Sequence, residues 1–155
     1  MMQTLITKVN RTIEIANSRQ ILAPPTFSMP KMKSLALYGL LHSSINPGIP
    51  VYLSDKDYDI CPKSKMIAVL ALDLTNKFTY AEDEYDCDDF AYRLMGQLSV
   101  PGWADIAFGV AWSPTHAFNV YCDGSILYYI EPQTDILLPF EKKESQYYPL
   151  RFLTM

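Results

Sequence analysis

Three short apolar runs between Ile106 and Ile130 constrain this chain more than any other feature: Ile106–Trp112, Thr115–Cys122 and Ser125–Ile130. Each is rich in β-branched and aromatic residues and predicts a strand. Asp123-Gly124, between the second and third, predicts a hairpin with a two-residue turn. With that turn Cys122 faces Ser125, and counting outward His116 faces Glu131 directly. Side chains so placed have Cβ atoms about 4.5–5.5 Å apart, close enough for a carboxylate to hold an imidazole. A slip of one residue would send them to opposite faces. A further strand near Leu150–Leu153 is expected to join this sheet.

Upstream lies Tyr85-Asp86-Cys87-Asp88-Asp89-Phe90-Ala91, at the end of an acidic run with six carboxylates between Glu82 and Asp89. From Asp88 the spacing turns helical, with Phe90, Ala91, Leu94, Met95 and Leu98 on one face. Asp86 is placed to cap that helix, and Ser99-Val100-Pro101-Gly102 ends it. Cys87 therefore stands at a helix N-terminus, where the dipole and free N–H groups favour a thiolate. Cys87 as nucleophile, His116 as base and Glu131 as orienting acid form a candidate catalytic set. The plainer alternative for His116 is a satisfied core histidine. Asp86, Asp88 and Asp89 oppose a thiolate, so a divalent cation is one way to offset them. Gln133 and Asp135 offer further oxygen ligands of the kind calcium takes. The other account has Asp86 capping the helix while its neighbours face solvent.

The 155 residues suit one domain, 1–155, with a weakly patterned region over 1–49 and a core over 50–155. Residues 3–22 have mixed apolar spacing. Ala23 to Pro30 reads as extended, and Pro30 is expected to open a helix running to about Ser44. Val51-Tyr52-Leu53 is a strand candidate. Asp55-Lys56-Asp57-Tyr58-Asp59 is a solvated turn, since Ile60 stands where a calcium loop needs Gly and Met66 where it needs Glu. Pro62 opens a segment to about Leu74, helical by its spacing, with a buried strand over Ile67–Leu72 as the alternative.

A net charge of −4, with no Lys/Arg group denser than Lys63-Ser64-Lys65 or Lys142-Lys143, argues against a phosphate-backbone binder, so no nucleic-acid partner is expected. The three cysteines include no C-x-x-C pair, and Cys61 and Cys122 read as small buried hydrophobes. No membrane partner is expected either. The absence of a signal-length or membrane-spanning apolar run points to a reducing, cytoplasmic place of synthesis. Trp103 is open to lining a cleft, whereas Trp112 reads as core.

Asp86-Cys87-Asp88-Asp89-Phe90-Ala91, His116-Ala117-Phe118-Asn119 and Glu131-Pro132-Gln133-Thr134-Asp135 together resemble the papain-like C-terminal domain of mushroom agglutinins and its phage and bacterial relatives, over about residues 50–140. The resemblance implies an α+β, papain-like fold, with N-terminal helices and the nucleophile helix packed on an antiparallel β-sheet. It implies a calcium- or manganese-dependent cysteine peptidase acting on protein or peptide substrates through Cys87, His116 and Glu131. Asp88, Asp89, Gln133 and Asp135 are then the metal carriers, and the Cys87 N–H the first oxyanion donor. A phage-encoded protein acting in its host is one setting for such a chain. A transglutaminase or cell-wall amidase would use the same three residues, and a non-catalytic phage accessory or binding protein would keep only the scaffold.

Overall fold

A computed structural model describes residues 22–140 and 146–155. The expectations for residues 3–21 and for Lys142-Lys143 lie outside them. Strand β1 (Lys31–Lys33) leads into helix α1 (Ser34–Ser44), then come β2 (Val51–Tyr52), β3 (Asp57–Asp59) and α2 (Lys63–Leu72). A 3-10 turn over Thr75–Lys77 precedes α3 (Cys87–Leu98). The rest is β4 (Phe108–Trp112), β5 (Ala117–Cys122), β6 (Leu127–Glu131), β7 (Ile136–Pro139) and β8 (Phe152–Thr154).

Six strands form one mixed sheet in the order β2-β8-β4-β5-β6-β7, parallel only between β2 and β8. The last strand is thus inserted beside β4 rather than added at an edge. All six residues of β5 are buried because both faces of the sheet are covered. On one side Phe118, Val120 and Cys122 pack with Leu37 and Leu41 of α1. On the other, Tyr121 packs with Met66, Val69 and Leu70 of α2 and with Leu94 and Leu98 of α3. A strand covered on both faces reads as a continuous apolar run, which is why the sequence shows no alternation here.

Helix α3 follows its apolar face: Phe90, Ala91, Leu94 and Leu98 are buried. The buried Asn119 fastens it to the sheet, since Nδ2 donates to the Ala91 carbonyl at 2.9 Å and to the Gly109 carbonyl at 3.1 Å. Helix α2 settles the choice over 62–74 in favour of helix. Cys61 and Cys122 are fully buried, as expected of small hydrophobes.

Several local expectations need correction. The helix after Pro30 starts four residues later, at Ser34. The intervening Lys31–Lys33 forms an antiparallel ribbon with Asp57–Asp59, joined by Lys31–Asp59 and Lys33–Asp57 ion pairs of 2.8 and 2.6 Å. The aspartates read as a solvated turn are therefore partly strand. The β5–β6 hairpin pairs Cys122 with Leu127, so its loop is Asp123–Ile126 and not two residues. Asp123 explains the longer loop, because its Oδ1 accepts the N–H groups of Ser125 and Ile126 at 3.0 and 2.8 Å.

Among the described residues, no helix is long and apolar enough to cross a membrane.

Gly109 sits where β4 passes closest to the C-terminal strand. A Cβ there would be driven into the Thr154 carbonyl oxygen and come within 2.6 Å of Met155 Cγ. Backbone cannot swing aside as a side-chain tip can, so Gly109→Ala is expected to cost about 1–3 kcal/mol. Thermal unfolding of the variant should fall by several degrees, and an unchanged midpoint would contradict this account of the β4–β8 contact.

Candidate functional site

The site forms where the N-terminus of α3 meets the start of β5. Asp86 caps α3: its Oδ1 accepts the Asp88 N–H at 3.4 Å, while Asp89 Oδ2 accepts the Asp86 N–H at 3.1 Å. This reciprocal arrangement occupies two of the acidic side chains with backbone donors. It leaves Cys87 in the first turn, half-buried, with its sulfur accepting the Ala117 N–H at 3.4 Å. Fastening α3 to β5 through Asn119 brings together residues that are 30 apart in the chain.

His116 and Glu131 meet as the sequence required, by a different register. With Asn119 opposite Ile130, Glu131 lies diagonal to His116 instead of facing it. The shift is two residues, so parity and face are preserved. His116 Nε2 and Glu131 Oε2 lie 2.7 Å apart. Glu131 is 9% exposed and takes two further donors, the Tyr147 hydroxyl on Oε2 at 3.2 Å and the Gln133 N–H on Oε1 at 3.3 Å. Ser113 shapes the approach to His116, its Oγ accepting the His116 N–H at 3.1 Å and donating to the Gln146 carbonyl at 2.6 Å. Cys87, His116 and Glu131 are thus gathered at one end of the sheet, with the thiol bonded to the residue after His116.

The electrostatics differ from what the helix position alone suggests. Burial pushes the Cys87 thiol above its ordinary value, and the charges of Asp86 and Asp88 add to that. The Ala117 N–H opposes both without overcoming them. Asp88 is itself raised, first by its hydrogen bond with Asp86, which that same bond holds below the carboxylate range. These influences, taken together, oppose a pre-formed thiolate at the α3 N-terminus.

The expected metal carriers are distributed between two places. Asp88 and Asp89 stay at the α3 cap. Among the described residues, the one group of three or more His, Cys, Asp and Glu ligand atoms within 4.8 Å is Asp86, Cys87 and Asp88. Gln133 uses its N–H on Glu131. Asp135 sits in the turn just before β7 with φ 59° and accepts from Asn76 Nδ2. Around it Asp135 Oδ1, Asn76 Oδ1 and Thr75 Oγ1 are buried without partners, and Thr75 is fully buried. These orphaned oxygens are the hard donors that calcium or manganese prefers, so this end of the set fits a cation.

Trp103 and Trp112 exchange the places expected of them. Trp103 is buried, its Nε1 donating to the Ala23 carbonyl at 2.8 Å, whereas Trp112 reaches the surface. Trp112 lies opposite Ala117 and opens a row of rings: Tyr92–Trp112 5.6 Å, Trp112–Phe152 5.3 Å and Tyr52–Phe152 5.4 Å between centroids. Tyr92 and Tyr52 are 52% and 60% exposed. The sequence pattern could not show this row, because it draws on one helix and three strands.

No family model and no curated protein sequence matches the chain. Solved structures do. The PSL1a–E64 complex matches with TM-score 0.68 and 17% identity, covering 81% of this chain and 51% of that one. Polyporus squamosus lectin bound to the human-type influenza-binding epitope Neu5Aca2-6Galb1-4GlcNAc matches with TM-score 0.62 and 17% identity, covering 81% and 49%. The chain thus spans about half the length of these structures, and at this identity the likeness is one of fold.

These findings correct the sequence reading. One neighbour is named as a lectin and neither is named as a cysteine protease domain, which overturns the mushroom-agglutinin papain-like assignment. The papain-like α+β class gives way to a mixed six-strand sheet with few helices, the fold shared with these structures over about half of their length. The metal-dependent cysteine peptidase, its transglutaminase, amidase and phage-accessory alternatives, and the protein or peptide substrate are replaced on the same ground.

Burial, followed by the charge of Asp73, raises Asp135 from 3.8 to about 6, with Lys77 pulling the other way. A carboxyl raised on folding contributes stability that is present below about pH 4 and lost as pH rises through about 6. In chelator, the thermal midpoint of the wild type should carry this decline across pH 4–6, and Asp135→Asn should flatten it. Parallel curves for the two proteins would remove Asp135 as the cause.

Proposed function

We propose that this domain binds carbohydrate along the row Tyr92–Trp112–Phe152–Tyr52. The observation that carries the proposal is the row itself, a run of contacting rings with its two ends more than half exposed. Contiguous exposed apolar surface of this kind marks a binding site more often than chance placement. A sugar ring suits it because one face presents polarised C–H groups to the electron-rich aromatic face, while its hydroxyls need polar partners at the rim. The row supplies that rim at its Trp112 end, where His116 and the Asp86–Asp88 cap lie near Ala117. The second structural neighbour, a lectin bound to a sialylated trisaccharide, supports the choice of ligand class.

The test is calorimetric titration and glycan-array binding with the wild type, Trp112→Ala and Tyr92→Ala. Truncating an aromatic anchor typically costs 2 kcal/mol or more, so each variant should lose roughly tenfold or more in affinity with its circular dichroism intact. Absence of binding to any glycan, or equal binding by all three proteins, rejects the reading.

The Cys87–His116–Glu131 geometry favours a second reading of the same end of the sheet, independent of any peptidase role. Cys87 is read as a slow, selective thiol nucleophile whose sulfur accepts the N–H of Ala117, the residue after the Glu131-held His116. Iodoacetamide should label Cys87 while sparing the fully buried Cys61 and Cys122. Because the thiol is raised, the labelling rate should keep climbing above about pH 8.5, the ordinary thiol range, and His116→Ala should slow it near neutrality. E64, the molecule in the first neighbour's complex, is the natural second probe. Equal labelling of all three cysteines ends this reading.

Calcium or manganese belongs, on the same footing, with the orphaned oxygens of Thr75, Asn76 and Asp135. Adding calcium at pH 7 to the Asp135 thermal series should raise the wild-type midpoint and leave Asp135→Asn unmoved.

A further inference from the structure

Tyr147 has no part in any of these readings, yet its ring and hydroxyl both bear on the site. It is 4% exposed, and its hydroxyl lies 3.2 Å from Glu131 Oε2, the oxygen that also holds His116 Nε2. Its ring packs against His116 at 5.7 Å, edge-on to Phe118 at 4.9 Å, and in a stack with Tyr129 at 3.9 Å.

The segment carrying Tyr147 is tied down at both ends. The Gln146 carbonyl accepts Ser113 Oγ at 2.6 Å, and Ser113 in turn receives the His116 N–H. Leu150 exchanges two hydrogen bonds with Asn46, just beyond α1: its N–H donates to Oδ1 at 2.8 Å and its carbonyl accepts Nδ2 at 3.1 Å. The hydroxyl is thus delivered to Glu131 by a clasp between α1 and the loop that carries His116.

We propose that Tyr147 is a positioning residue of the Cys87–His116–Glu131 site, holding Glu131 Oε2 in place and limiting how strongly that carboxylate draws a proton onto His116. This rests on the thiol-site reading above. The physical reason is competition at a single oxygen. A carboxylate that already accepts one O–H has less charge to offer a second donor, so the imidazolium beside it is less favoured. Burial and the adjacent Glu131 charge push the Tyr147 phenol well above its ordinary value, so it remains an O–H donor throughout the range in which an imidazole titrates. Among the described residues, Glu131 and Tyr147 meet the His116 ring, and the Cys87 thiol with the Asp86 and Asp88 carboxylates of the α3 cap lies at the adjoining Ala117.

The experiment is an NMR titration of the His116 ring in the wild type and in Tyr147→Phe, using the full chain. Removing the hydroxyl alone should raise the His116 midpoint by about half a unit to one unit, the shift expected from releasing one hydrogen bond at the shared oxygen. A ring that merely fills space would leave the midpoint where it was, and an unchanged or lowered midpoint overturns the proposal. A measurement on the wild type guards against a misfolded variant: the Tyr147 hydroxyl should give a downfield, slowly exchanging proton resonance, and its absence also overturns the proposal. Iodoacetamide labelling of wild-type Cys87 separates the two failures. Unselective labelling sinks the thiol site, whereas selective labelling with an unmoved His116 midpoint sinks only the role of Tyr147.

Discussion

One buried amide determines where everything else in the site can be. Asn119, in the middle of β5, reaches a carbonyl of α3 with the same nitrogen that it offers to β4. A fully buried amide left unpaired carries a penalty of about 1–3 kcal/mol, so the helix is held at the one height where Ala91 can accept. That height sets the N-terminus of α3 beside the first residue of β5. Cys87 then lies against Ala117, and the rings of Tyr92 and Trp112 meet at the surface. Site and aromatic row both follow from this junction.

Opposed influences on charge give the site its character. The α3 N-terminus invites negative charge, but the chain has already placed aspartates there to cap it, and they repel a thiolate. Cys87 is consequently a held-back thiol. Glu131, by contrast, is buried among donors from His116, Tyr147 and the Gln133 backbone, which is how a carboxylate remains inside a sheet with an imidazole as its partner. The site is well suited to orienting an imidazole and poorly suited to ionising a sulfur.

The His116–Glu131 pair shows how far reading from sequence extends. The two-residue turn was the wrong turn, because Asp123 satisfies backbone donors within a longer loop. The pair survived since the error was an even number of residues and the side-chain period of a strand is two. The β1–β3 ribbon shows the opposite case. Its residues read as a helix start and a solvated turn because each short segment takes its extended form only from the other, far along the chain.

Local chemistry determined helix α3 with its Asp86 cap, the presence of α1, the burial of Cys61 and Cys122 and the strands around Asp123-Gly124, while leaving α2 open to a strand, because spacing and capping act within a few residues. Tertiary structure alone decided the insertion of β8 beside β4, the aromatic row, the reversal between Trp103 and Trp112, and Tyr147 at Glu131. It decided the fold class as well. Each of these joins residues whose separation along the chain leaves no trace in periodicity, and only the packing of two helical layers on one sheet brings them into contact.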